Sequence, residues 1–236
     1  MERTEGKPHQ CKKCRDETGY IIRNEAGFEV WTICECKEKR LIERLFSSSQ
    51  ITPQFQQKSL ADFQLGNRPQ MIIDAYHCTK AYVESFSDVR DGRQNSISLL
   101  GMPGSGKTHL LMAAANQLLA DGVGVLYFPW VEGFNDLKAN FDLLEDKIYR
   151  MQTVDVLYID DLYKGRGKPT EFQTEQLFAI INYRYLNNKP IMISSERDVE
   201  EMCGFDMATG SRIYEMCKDF TVVLKGDMKL NYRLTE

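Results

Sequence analysis

From residue 96 onward the chain alternates short apolar runs with longer stretches rich in helix formers. Residues 96–100, 123–128, 154–159, 191–195 and 220–224 are too short and too apolar for surface helices, and each reads as a buried strand. Residues 109–119 are dense in Leu, Met and Ala, and residues 171–186 form a second helix-like stretch. Turn signals separate them, at Asp121-Gly122 and at residues 187–190 (Asn-Asn-Lys-Pro). Strands alternating with helices predict an α/β fold: a five-stranded parallel sheet flanked by helices, with any ligand at the carboxyl ends of the strands. Residues 130–150 place Phe134, Leu137, Phe141, Leu144 and Ile148 at helical spacing, which predicts burial against the core. Upstream the pattern differs. Residues 18–22 and 28–33 read as two strands around a turn at 24–27. Residues 37–46 read as an amphipathic helix, and residues 47–53 as a linker or turn.

The loop after the first apolar run carries the strongest chemistry. Residues 101–108, GMPGSGKT, fit G-x-x-x-x-G-K-[ST] without a mismatch, between a strand and a helix as a phosphate-binding loop requires. Glycines let backbone N–H groups converge on a phosphate, and the helix adds its positive end. Gly101, Pro103, Gly104, Ser105, Gly106, Lys107, Thr108 and His109 are therefore the candidate nucleotide-binding residues. Lys107 would reach the β- and γ-phosphates, and the Thr108 hydroxyl would hold Mg²⁺. The alternative, a turn that only joins strand to helix, explains neither the lysine nor the threonine. The third strand ends in Asp160-Asp161, a Walker B pattern. Asp160 would hold Mg²⁺, and Asp161 would orient or deprotonate the attacking water. Ser195, at the end of the fourth strand, either touches the γ-phosphate or the water, or simply caps the strand.

Cysteine spacing adds a second site. Cys11-x-x-Cys14 and Cys34-x-Cys36 flank the hairpin-like stretch, and four thiolates suit tetrahedral Zn²⁺ in a structural role. Two disulfides or four unrelated thiols are the alternatives, and an intracellular setting favours zinc. With 236 residues and 42% hydrophobic content, the chain has room for one large domain, or for one domain plus a small appendage. A net charge of -4 argues against a wholly basic nucleic-acid coat but leaves room for a local basic groove. No apolar run approaches a membrane span, and residues 1–7 lack a signal-peptide core, so a cytoplasmic protein without a membrane partner is expected.

With these motifs placed, the chain resembles the DnaC/DnaI group of replicative helicase loaders, a branch of the AAA+ ATPases. The likeness rests on GMPGSGKTHL at 101–110, LYIDDL at 157–162, IMISSE at 191–196 and GSRI at 210–213. The last is similar to the family's G-[ED]-R-I box, whose arginine completes a neighbouring subunit's ATP site. That likeness makes Arg212 the candidate trans arginine finger, against a surface ion pair with Glu215 or Glu196. The resemblance covers residues 51–236 as an AAA+ ATPase domain lacking a full lid. It makes residues 1–50 a zinc-binding, helicase-interacting module like that of phage and Gram-positive members. Asp161 departs from the glutamate of many AAA+ proteins, and Ser195 from a common asparagine.

The resemblance implies a slow, partner-stimulated ATPase that binds a hexameric replicative DNA helicase and places it on single-stranded DNA, self-associating through ATP sites completed by Arg212. A transposition helper of the IstB type shares this core. A P-loop kinase for a small metabolite would need substrate-binding arginines and a lid instead, and an ATP-gated adaptor would barely need hydrolysis. Lys138, Lys147 and Arg150, which sit among aromatics, are open between contacting DNA phosphates and not, and a basic loop at residues 164–168 is by default solvated.

Overall fold

The computed structural model describes residues 9–165, 167–226 and 228–234. Arg166, within the basic loop considered above, lies outside them, as do residues 1–8, Asp227 and the last two residues. The elements in chain order are β1 (Gly19–Arg23), β2 (Glu29–Ile33), α1 (Cys36–Ser48), α2 (Pro53–Gln56), α3 (Gln70–Val89), β3 (Ile97–Gly101), α4 (Lys107–Ala120) and β4 (Val125–Pro129). Then follow α5 (Trp130–Ala139), α6 (Leu144–Thr153), β5 (Val156–Leu162), α7 (Glu171–Leu186), β6 (Ile191–Ser195), α8 (Val199–Phe205), α9 (Met207–Cys217) and β7 (Thr221–Leu224).

Five of these strands form one parallel sheet in the order β4-β5-β6-β3-β7. Its strands are apolar on both faces because both are covered. One face carries Ile97, Leu99, Tyr158 and Met192 against α3 and α4, and the other carries Leu100, Leu157, Ile191 and Ile193 against α5, α6, α7 and α9. The order places β6 between the strand leading into the phosphate loop and the strand ending in Asp160-Asp161. Three chemically distinct strand ends therefore open at one edge.

Several elements depart from the sequence reading. Of residues 47–53, only 49–52 form the turn, between α1 and α2, and two of its side chains are buried. Ser49 and Ile51 are enclosed, and the Ser49 carbonyl accepts a hydrogen bond of 2.8 Å from the Tyr127 N–H on edge strand β4. That contact covers an edge that would otherwise present unpaired groups. Phe134, Leu137 and Ile148 are buried as expected, but Phe141 is exposed, because the helix breaks at Asn140 and resumes only at Leu144. Helix α3, 20 residues long, had no counterpart in the pattern. Its buried stripe is Ile72, Ala75, Thr79, Tyr82 and Phe86, in which a small and a hydroxyl residue dilute the apolar period.

Arg184 of α7 is completely buried and donates to the carbonyls of Met151, Gln152, Val154, Asp155 and Pro190 at 2.5–3.2 Å. One guanidinium thus satisfies the backbone where α6 ends, β5 begins and β6 begins.

Candidate nucleotide cleft and cysteine cluster

The loop between β3 and α4 folds as the glycine pattern requires. Gly104 and Gly106 have φ of +72° and +97°, a backbone region that a β-carbon would penalise. The Lys107 ammonium donates to the carbonyls of Gly101 and Met102 at 2.8 and 2.7 Å, so it is folded back onto its own loop. Burial pulls its pKa down to about 8, against the opposing negative charges of Asp161, Glu196 and Asp160. Ser105 turns its hydroxyl inward to the Met102 carbonyl at 2.8 Å. His109 faces the cleft with Nε2 3.3 Å from the Ser59 carbonyl, its ring edge-on to Phe63.

The Thr108 hydroxyl donates to Asp160 Oδ1 at 3.0 Å, which brings together the two residues expected at Mg²⁺. Asp160 is fixed by three more donors: Tyr127 and Tyr158 at 3.1 and 2.8 Å, and the Ser194 hydroxyl. A hydroxyl and a carboxylate oxygen side by side at a helix start are hard oxygen ligands of the kind Mg²⁺ takes. Asp161 has φ +55°, and β5 shifts register against β6 between Ile159 and Leu162. That irregularity turns the Asp161 carboxylate to the cleft mouth, where Lys164 lies 3.2 Å away. Lys164 also meets Glu196 at 2.8 Å. Partial burial, with Asp160 next door, raises the Asp161 pKa above the ordinary carboxylate value, and Lys164 opposes the shift.

Ser195 is not brought to the cleft. It is fully buried, donating to the Leu162 carbonyl at 2.6 Å and accepting from the Arg197 N–H at 3.0 Å, which is the capping alternative. Strand alternation explains this. Ser194 shares a face with Met192 and bonds Asp160 and the Asp161 N–H, whereas Ser195 points the other way with Ile193. The period-2 rule applied to β6 was the available signal for Ser194.

Arg212 lies on α9 and does not line the cleft of its own chain. It donates to the Ala208 carbonyl at 2.7 Å, and its guanidinium lies 5.5 and 5.4 Å from the Phe178 and Tyr185 ring centres. Neither of the alternative ion pairs forms: Glu196 holds Lys164, and Glu215 accepts from the Tyr185 hydroxyl at 2.9 Å with Arg93 nearby. Of the candidate DNA contacts, Lys147 pairs with Asp136 at 2.6 Å and Arg150 donates to the Ser48 carbonyl, while Lys138 sits 6.0 Å over the Phe172 ring.

The cleft, about 580 Å³, is also lined by residues outside every motif, among them Phe63, Arg68 and Tyr232. No sequence signal marked them, because they come from loops distant in the chain.

At the other site, β1 and β2 pair antiparallel with Gly19 opposite Ile33, which folds the two cysteine pairs together. The sulfurs of Cys11, Cys14, Cys34 and Cys36 lie within 4.8 Å of one another, and all four are free thiols. Tetrahedral zinc–thiolate bonds of about 2.3 Å separate sulfurs by about 3.8 Å, so this donor set fits Zn²⁺. The Cys14 backbone N–H lowers the Cys11 thiol to about 6, whereas hydrogen bonding to Cys14 pushes Cys36 up to about 12. A divalent cation is what lets four such thiolates coexist. Arg40 braces the cluster through Asp16, whose carboxylate accepts from the Cys11 N–H at 2.9 Å.

Comparison with known proteins adds to this geometry. Residues 74–216 match the family described as the bacterial DnaA ATPase domain. The chain is 50% identical over 231 residues to the phage-like element PBSX protein XkdC of Bacillus subtilis (strain 168), covering 96% of this chain and 86% of XkdC. It is 49% identical to protein YqaM of the same organism over 85% of this chain, spanning 66% of YqaM. Among solved structures, DnaI aligns with a TM-score of 0.60 at 23% identity, covering 75% of this chain and 95% of DnaI. The DnaC helicase loader gives 0.60 at 24%, covering 74% of this chain and 100% of that one. DnaA bound to AMPPCP and single-stranded DNA gives 0.60 at 24%, covering 77% of this chain and 53% of that DnaA. No helix among the described residues is long and apolar enough to cross a membrane. By its matched residues this chain belongs to the family of the bacterial DnaA ATPase domain, and its sheet and helices have the fold of the DnaC/DnaI-type AAA+ loaders.

Proposed function

We propose that this chain is an ATP-dependent loader that binds a hexameric replicative DNA helicase and places it on single-stranded DNA during replication initiation. The observation that carries the reading is the joining of two sites in one chain: a candidate nucleotide cleft with its catalytic arginine candidate elsewhere, and a hairpin with a four-cysteine cluster and an apolar face. On that hairpin Ile21 lies opposite Trp31, with Ile33 beside them, and all three are exposed. An apolar patch left in solvent on a small stapled module is a protein-docking feature, and we assign it to the helicase. Residues 1–50 would be this module and residues 51–236 the ATPase domain.

In the cleft, Lys107 would exchange its loop carbonyls for the β- and γ-phosphates of ATP. Thr108 and Asp160 would hold Mg²⁺, which neutralises charge developing on the phosphates. Asp161 would orient the attacking water once Lys164 yields it. Arg212 of a neighbouring copy would complete the site, so that ATP reports assembly. Cys11, Cys14, Cys34 and Cys36 would hold Zn²⁺ in a structural role.

Titrating the purified protein against the hexameric replicative helicase of its own cell, with and without ATP and single-stranded DNA, tests this. The expected result is a complex strengthened by ATP and lost when Cys34 and Cys36 are replaced by Ser. Absence of any complex, with phosphoryl transfer to a small acceptor, would establish the kinase alternative instead.

A further inference from the structure

Two segments outside the motifs close the cleft: the stretch before α3, carrying Phe63 and Arg68, and a pair of 3₁₀ turns at Met228–Leu230 and Tyr232–Leu234. The turns are fastened down. Leu230 is buried in the core, and the Tyr232 N–H donates to the Gly104 carbonyl at 3.0 Å. The Asn231 side chain fits against Gly104 so closely that a β-carbon there would lie 2.0 Å from its Oδ1. The Arg68 guanidinium lies 4.6 Å from the Tyr232 ring centre and 5.5 Å from that of Phe63, and its buried Nε has no hydrogen-bond partner.

A nucleotide with its β-phosphate in the loop at Lys107 must run its base along the rest of the cleft. Beside Lys58, Asp62 and Gln64, that stretch presents the aromatic and guanidinium surface of Phe63, Arg68 and Tyr232, which binds a purine face by stacking and cation–π attraction. We propose that Tyr232 and Arg68 form a clasp on the purine base of a bound nucleoside triphosphate, with the turns at 228–234 as a latch hooked onto the phosphate loop through Gly104. The inference rests on the reading of this cleft as a nucleotide site. It assigns base recognition to the C-terminal segment and makes loop geometry answer to base contact.

Calorimetric titration with ATP and with inorganic tripolyphosphate separates the two claims. Tyr232→Ala is expected to weaken ATP about tenfold, the scale of one base–aromatic stack, and to leave tripolyphosphate unchanged. Tyr232→Phe should keep wild-type affinity. Arg68→Ala, in a different segment, should give the same selective loss, and Arg68→Lys should not rescue it because an ammonium lacks the stacking plane. Equal losses for ATP and tripolyphosphate in both alanine variants would show that these residues only support the phosphate loop, and unchanged ATP affinity would show that they do not touch the base. Either result overturns the clasp. Wild-type protein that binds neither ligand would instead refute the nucleotide reading.

Discussion

Among the ionisable side chains of the cleft, the displaced pKa values of Lys107 and Asp161 each set a pH window. Lys107 is held near 8 by burial in the free protein. Bound triphosphate would raise that value, so binding should take up a proton around and above pH 8. Affinity should be full below pH 8 and fall as pH rises through the bound-state pKa. Calorimetry in buffers of different ionisation enthalpy measures that proton directly. Lys107→Ala should weaken ATP by about 100-fold, the loss of a charge-assisted phosphate contact. Asp161 must be ionised to act on water, and its pKa is raised by burial first and by Asp160 second. Turnover should therefore fall on acidification at a higher pH than an ordinary carboxylate, near about 4, would give. Lys164 lowers this pKa, so Lys164→Ala should move the acid limb of the ATPase profile to still higher pH. A limb that stays in place would remove Asp161 from the base role.

At the scale of elements, what was legible and what was not divides by the range of the interaction. Buried strands are nearly continuous apolar runs, so all five strands of the main sheet stood out locally, as did the phosphate loop, Asp160 and the cysteine pairs. Helix α3 did not, because Ala75 and Thr79 interrupt its stripe where it packs close to the sheet. The cleft wall at Phe63, Arg68 and Tyr232 was invisible because tertiary folding alone joins residues so far apart in sequence. Arg184 reads as a surface arginine near a helix end, yet five carbonyls converge on it. Arg184→Met should cost about 3–5 kcal/mol, since the buried acceptors lose a charged donor. At about 2–4 °C per kcal/mol for a chain of this size, thermal unfolding should shift down by about 10 °C. The hairpin of β1 and β2 exposes most of its side chains, so the proposed zinc would be its staple. Metal analysis should find one zinc per chain. Removing zinc with a zinc-selective chelator in excess Mg²⁺ should unfold the hairpin, read in a Trp130→Phe background as loss of Trp31 fluorescence anisotropy, while ATP affinity stays within about twofold because the cleft lies elsewhere.

For the whole molecule, the consequence lies in where Arg212 is. It sits on α9, away from the cleft of its own chain, on aromatic neighbours rather than in an ion pair. If it serves a neighbour, Arg212→Ala should cut turnover about 10³-fold in the assembly while leaving ATP binding by single subunits intact. Mixing Arg212→Ala with Asp161→Asn should restore part of the activity, since mixed interfaces pair one intact half-site with another. Loading itself is the central claim. Its most direct measurement is helicase-dependent unwinding of a forked duplex on a covered single-stranded circle, with the loader added at increasing concentration. Wild-type protein with ATP should raise the amount of active helicase on DNA, and Lys107→Ala should not. Unwinding that is indifferent to wild-type protein and ATP would contradict the account.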